Sequence, residues 1–251
     1  MNTSTNTNTK FLISFLVGTI IACVVIYKFS FNRKKNIFTC NKFLTNTYLY
    51  LVLSLLIMSL LMTILLHFNV EFEYKLKIYL IFFLASIFLI FIKHSIVPDT
   101  PSKMIVKHLV WLILLLVFAF QLIGMIKRTS RDTVLKSVVT SGILVLILTL
   151  FAHYKSNLIS LSMGPVLFVL LLTLIIFELV SLLFFRDTFL SGGMNKMFSI
   201  GAICLFMAFI LYETKVIREK AKTCVIADYI KESFSLYLDI LNIFVRSVSL
   251  R

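Results

Sequence analysis

DYIKESFSLYLDILNIFVR, residues 228–246, is the stretch on which the rest of the chain turns. Asp228, Glu232, Ser235, Asp239, Asn242 and Arg246 follow one another at steps of four, three, four, three and four. That spacing places all six polar side chains on one stripe of an α-helix. The remaining faces carry Ile230, Phe234, Leu236, Leu238, Ile240, Leu241, Ile243, Phe244 and Val245. Two structures satisfy the pattern: an amphipathic helix lying flat on a bilayer surface, or a membrane helix whose polar seam faces protein or water.

Composition selects the second. The chain has 251 residues, 60% of them hydrophobic and only 14% charged, with a mean hydropathy of +1.01. This lies far from the balance of a water-soluble globular domain. A spanning helix needs about 20 mainly apolar residues to cross a hydrocarbon core roughly 30 Å thick. Eight segments qualify: Phe11–Tyr27, Thr47–Leu66, Ile78–Ile92, Val106–Ile126, Val134–Ala152, Gly164–Phe185, Met197–Leu211 with a polar continuation, and Tyr229–Val248. They are continuous runs rather than the alternating segments of about ten residues found in transmembrane barrels. The fold expected is therefore an all-α integral membrane protein.

The formal net charge of +14 reads as membrane topology rather than nucleic-acid binding, because the basic residues gather between apolar segments. Lys28, Arg33, Lys34, Lys35 and Lys42 follow the first segment, and Lys215, Arg218, Lys220 and Lys222 precede the last. Six segments separate the two clusters, so both fall on one side of the membrane. Assigning that side to the cytoplasm puts both termini on the other. It collects thirteen basic residues against eleven, with Lys231 inside the last segment. The opposing cluster Lys127, Arg128, Arg131 and Lys136 leaves that margin small. Residues 1–10 form a polar tail expected to be unstructured. Residues 11–28 read as an uncleaved membrane anchor, since no small-residue cleavage pattern follows them, and residues 29–43 as a basic linker.

Several chemistries lack machinery. Cys23, Cys40, Cys204 and Cys224 show no CxxC spacing, so neither a metal knot nor a disulfide framework is expected. His67, His94, His108 and His153 are scattered near segment ends without an HExxH pattern. A Gly-rich phosphate loop and a GxSxG elbow are missing from the sequence, and no enzymatic activity is expected.

Acidic residues number eleven, which makes the embedded ones informative. Glu178 lies in the sixth segment, Glu213 at the end of the seventh and Asp239 in the middle of the eighth. An isolated carboxylate in hydrocarbon costs several kcal/mol, so each must be protonated, paired or hydrated. If Asp228 caps the last helix and the preceding one runs to Lys222, Glu213 and Asp239 differ in depth by only about 3 Å. Two carboxyl groups held that close share a proton more cheaply than they both ionise. Such a pair senses pH and, when deprotonated, offers oxygen ligands to a cation such as calcium. The plainer readings place Glu213 at the interface beside Lys215 and Arg218, and give Glu178 a structural role with Ser181 and Arg186.

The segment ILYETKVIREKAKTCVIADYIKESFSLYLDILNIF, residues 210–244, resembles the closing signature of the Bax-inhibitor or lifeguard family, the transmembrane Bax inhibitor motif family. A YDT-like element, a basic turn, and then DYI, LYLD and an NLF-like element match Tyr212–Thr214, Asp228–Ile230, Leu236–Asp239 and Asn242–Phe244. Weaker similarity reaches back through KSNLISLSMG (155–164) and the Pro101 region to about Lys42. The resemblance implies a seven-helix membrane domain over residues 44–251, with the amino-terminal segment as an extra helix. It also implies a pH-regulated calcium leak of an intracellular membrane, endoplasmic reticulum or Golgi, associated with suppression of cell death. On that resemblance Glu213 and Asp239 form the di-acid latch and the calcium site. Glu213 stands where the family usually has Asp, and Lys93 or His94 where it can carry an arginine latch partner. A lysine cannot make the bidentate contact of a guanidinium.

Three functions follow as expectations. The first is a pH-gated cation pathway with calcium as the transported or bound ion, no other cofactor, and Asp228, Glu232, Ser235, Asn242 and Arg246 supporting the acids. The second is a regulator of cell death or trafficking that acts through membrane-protein partners without conducting. The third, weakly supported, is an intramembrane aspartyl protease, against which stand the Glu at 213 and the LYLD setting of Asp239. The partners expected are the lipid bilayer and membrane proteins of cell-death control, not nucleic acid.

Overall fold

A computed structural model describes residues 2–32, 37–68, 76–184 and 193–251. Among them are eight α-helices: α1 (Asn2–Ser30), α2 (Phe43–His67), α3 (Leu76–Ser95), α4 (Pro101–Arg128), α5 (Arg131–Tyr154), α6 (Met163–Phe184), α7 (Gly193–Lys222) and α8 (Tyr229–Ser249). Each coincides with one of the eight apolar segments, Phe185 at the end of the sixth lying outside the described residues. Six of them, α1, α2, α4, α5, α6 and α7, are long and apolar enough to cross a membrane. The apolar part of α3, Leu80–Ser95, is shorter, yet its 20 residues still reach about 30 Å. The 21 residues of α8 are long enough as well, and it is the polar seam that lowers their hydropathy. Ile81, Leu84, Phe88 and Phe91 on α3, Leu146, Ile147 and Leu150 on α5, and Val166, Val169 and Leu170 on α6 are all exposed. Apolar surface on that scale is unstable in water and matched by lipid. The chain is a multi-pass all-α membrane protein.

The amino-terminal tail departs from expectation. The backbone of residues 2–10 is helical and continuous with the apolar part of α1. Extending a helix that already exists avoids the nucleation cost, and Asn and Thr lose only a few tenths of a kcal/mol each against Ala.

The chain divides into two compact units. The first comprises Met1–Arg128 and Thr223–Phe234. Within it α4 packs on both α2 and α3, and α1 lies along α2. Trp111, Leu114, Leu115, Ala119 and Ile123 recur at helical spacing on α4 and are fully or almost fully buried. Trp111 Nε1 donates to Ser54 Oγ at 3.2 Å, and Tyr50 Oη meets His108 Nε2 at 3.0 Å. The segment expected to be a plain basic linker contains a two-residue antiparallel pairing, Phe31↔Phe38 and Asn32↔Ile37. Arg33, Lys34 and Lys35 lie outside the described residues. After this pairing Lys42 takes a left-handed backbone conformation, φ 54°, a turn that starts α2 with Asn46 N donating to Lys42 O at 2.9 Å.

A disulfide joins Cys40 to Cys224, with Cα atoms 5.9 Å apart. This corrects the expectation drawn from spacing. The two cysteines are 184 residues apart in sequence, and only the folding of α2 to α7 between them brings the pair together.

Lys107 joins three elements of this unit. It is fully buried, and its Nζ donates to Ile96 O at 2.6 Å, just past the end of α3, and to the carboxylate of Asp228. Asp228 in turn accepts from Lys231 N at 3.1 Å, capping α8.

The second unit comprises Thr129–Lys222 and Ser235–Arg251. Here α7 packs on α5 and α6. Ser130 caps α5 by accepting from Thr133 N at 3.2 Å. At the other end of α5, Arg218 Nη1 donates to His153 O at 2.7 Å, satisfying a carbonyl of the last turn. Phe177 and Phe198 stack with ring centroids 3.9 Å apart. Gly164, which closes KSNLISLSMG, faces the ring and hydroxyl of Tyr212, and a Cβ at that position would collide with both.

The Lys107–Asp228 pair yields a stability prediction. Lys107→Met leaves a largely desolvated carboxylate and should cost about 3 kcal/mol. The double variant Lys107→Met/Asp228→Asn should recover most of it. Thermal unfolding in detergent followed by tryptophan fluorescence checks both, and equal losses in the single and double variants would contradict the pairing.

Candidate functional site

The two acids singled out in the sequence both belong to the second unit. Asp239 sits at the middle of α8 with 5% of its surface exposed. Its electrostatic neighbour is Glu213, carried by α7, which ends at Lys222. One oxygen of each carboxyl, Oδ2 of Asp239 and Oε2 of Glu213, is shut away from solvent. For Asp239 Oδ2 there is no hydrogen-bond partner among the described residues. The residues expected to draw Glu213 to the interface are engaged elsewhere: Lys215 with Glu219 at 3.4 Å, and Arg218 with the end of α5. Between Tyr229 and Val248 no residue of α8 is exposed, which a helix lying flat on a bilayer cannot achieve.

The polar stripe does not act as one seam. Asp228 caps the helix and pairs with Lys107 in the first unit. Glu232 is buried one turn later, and Ser235 is half-buried. Asn242 Nδ2 turns back to Leu238 O of its own helix at 2.8 Å. Arg246 pairs with Glu178 of α6. Arg186, the other cation considered for Glu178, lies outside the described residues, and Ser181 is buried. The stripe thus resolves into a cap, an acid pair and an ion pair, one after another along a single rod.

Lys93 and His94 end α3 in the first unit. The Lys93 side chain is buried, with Nζ 3.7 Å from the centroid of the Phe234 ring, a cation–π contact of the kind a desolvated ammonium favours. His94 is exposed, its Nδ1 lying 3.1 Å from Ile90 O. The sequence marks Lys107 and Arg246 as embedded cations without naming their partners. A lysine opens the fourth apolar run, and an arginine closes the polar stripe. Their acids, Asp228 and Glu178, lie 121 and 68 residues away.

Other buried side-chain oxygens occur in the second unit. The hydroxyls of Ser137 and Ser141 on α5, and of Ser199 and Thr214 on α7, are buried without a hydrogen-bond partner among the described residues. Buried hydroxyls of this kind are ordinarily satisfied by water or an ion. Among the described residues, no group of three or more His, Cys, Asp or Glu side chains is placed to hold a metal. Two carboxylates alone fall short of the six to eight oxygens that calcium takes.

The described helices make the chain a polytopic helical membrane protein. The sequence model of the family described as inhibitor of apoptosis-promoting Bax1 matches residues 40–250, and the chain belongs to this Bax-inhibitor family. Helices α2 to α8 lie within the match, and α1 precedes it. Comparison with curated proteins and with solved structures gives no significant match. Membership makes the chain a membrane protein of the cell-death-regulating class, in a family that is generally non-enzymatic.

The Glu178–Arg246 pair carries its own prediction. With 31% and 16% of the two side chains exposed, loss of one partner by Glu178→Gln should cost about 1–2 kcal/mol, less than a fully buried pair. The charge swap Glu178→Arg/Arg246→Glu should restore melting toward the parent. A swap no better than either single change would show that the two side chains do not interact.

Proposed function

We propose that the chain is a pH-sensitive leak for cations, calcium foremost, in an endoplasmic reticulum or Golgi membrane, and that Glu213 and Asp239 form its gate. The observation that carries this reading is the buried Asp239 carboxyl, with one oxygen unsatisfied and Glu213 as its electrostatic neighbour. Held together in a poorly solvated place, the two acids favour a shared proton, which keeps α7 and α8 joined and the path shut. When that proton leaves, like charges repel and water enters. The freed oxygens, with the hydroxyls of Ser137, Ser141 and Thr214 in the same unit, then line a route for a divalent ion. Calcium is cargo in this scheme and needs no permanent cage.

The sign follows from the chemistry: a gate closed by a proton opens as pH rises. In proteoliposomes loaded with a calcium dye, flux should increase from pH 6 to pH 8 at constant calcium. Asp239→Asn removes the charge that opens the gate, and flux at pH 8 should fall about tenfold, a change equivalent to about 1.4 kcal/mol. Glu213→Asp should retain pH dependence, because the second carboxyl remains. Flux indifferent to pH and to Asp239→Asn would reject the gate. Family membership by itself also suits a regulator that works through membrane partners without conducting. If Asp239→Asn abolished flux and left protection from cell death intact, that second reading would replace the first.

A further inference from the structure

The disulfide is the feature of the first unit that the proposed leak does not use. Cys40 lies between the small antiparallel pairing and α2, and Cys224 in the connection from α7 to α8, four residues before the capping Asp228. Both sulfur-bearing residues are partly exposed, and Thr223, Val225 and Ile226 around Cys224 are exposed. The chain on either side of Cys224 is therefore open to solvent.

Other contacts hold the same turn. Tyr229, the first residue of α8, donates its hydroxyl to Thr39 O and accepts from Asn46 Nδ2 at 3.2 Å. Its ring lies 4.8 Å from that of Phe38 and 5.4 Å from that of Phe43. The Lys107–Asp228 pair fixes the same turn. Cutting the covalent link releases the connection 223–227 while these contacts keep the first turn of α8 docked. That is the arrangement of a bond whose state can change without unfolding the protein.

Charge indicates the compartment. The two cysteines lie next to the two basic clusters, Lys28 to Lys42 and Lys215 to Lys222, with α2 to α7 between them. Positive charge of that kind marks the cytoplasmic side. In a cytosol rich in reduced thiols a disulfide that forms is ordinarily transient or redox-sensing rather than structural.

We propose that Cys40 and Cys224 form a redox-responsive staple on the cytosolic face, whose reaction partner is a low-molecular-weight thiol and its disulfide. In reduction, a thiolate of the small thiol attacks one sulfur of the pair. The Cys40–Cys224 bond breaks, the leaving sulfur departs as thiolate and takes up a proton, and a mixed disulfide remains. A second small thiol cleaves that mixed disulfide and leaves as the symmetric small-molecule disulfide. Two electrons have then passed from two small thiols to the protein pair, and oxidation is the same sequence reversed. The reduced state frees the connection 223–227 directly before the helix that carries Asp239.

The test uses the full-length protein in cells, in a Cys23→Ser/Cys204→Ser background so that only the pair reports. Cells are treated with diamide or dithiothreitol and quenched in acid. Free thiols are then blocked with N-ethylmaleimide, and formerly bonded thiols are reduced and tagged with a maleimide polymer. The expected result is a doubly tagged band that predominates after diamide and falls at least severalfold after dithiothreitol. Tryptic cleavage after Lys222 should rise in parallel, and Cys40→Ser should show the raised cleavage under both treatments. A pair that stays oxidised after dithiothreitol has reduced known cytosolic disulfides would overturn the proposal and place this face in an oxidising compartment. A pair that never oxidises would overturn it as well. The tagging does not depend on calcium flux, so it can succeed even if the leak reading fails. A flux measurement with and without dithiothreitol, which rests on that reading, would then show whether the staple acts on the gate.

Discussion

Hydrocarbon offers no hydrogen bonds and almost no dielectric screening, so every ionised side chain carried into it must find its counterpart inside the protein. That demand organises the last helix. Its first turn is matched by Lys107, a buried ammonium that also satisfies a carbonyl at the end of α3. Its last turns are matched by Glu178 through Arg246. Between these two opposite-charge contacts comes Asp239, whose electrostatic neighbour is another acid. Asp239 thus differs from Asp228 and Arg246, each of which meets an opposite charge.

In the proposed gate, loss of the shared proton sets two like charges against each other, and hydration or separation of the acids relieves the repulsion. The buried hydroxyls of Ser137, Ser141 and Thr214 add polar surface in the same unit, and polar surface favours water over a dry, collapsed interior.

Much of this is legible in the sequence, for physical reasons. Runs of Leu, Ile, Phe and Val at helical length announce the eight helices, because lipid demands continuous apolar surface and closed backbone hydrogen bonding. Eleven acids in 251 residues make those inside apolar segments conspicuous, so Glu178, Glu213 and Asp239 can be named early. Counting residues either side of one turn is what leads to the expectation that Glu213 and Asp239 lie at similar depth. Partners at long range are another matter. Cys40 and Cys224, Lys107 and Asp228, and Glu178 and Arg246 are joined only after the intervening helices have packed, and no periodicity encodes that. The helical state of residues 2–10 was hidden for a different reason. Local composition argues against it, and only continuity with α1 sustains it.

Tyr212 lays its ring and hydroxyl where a side chain at Gly164 would stand. A side chain at 164 would require the end of the Tyr212 side chain to move aside. Since residue 212 adjoins Glu213, that movement would begin next to one of the two acids.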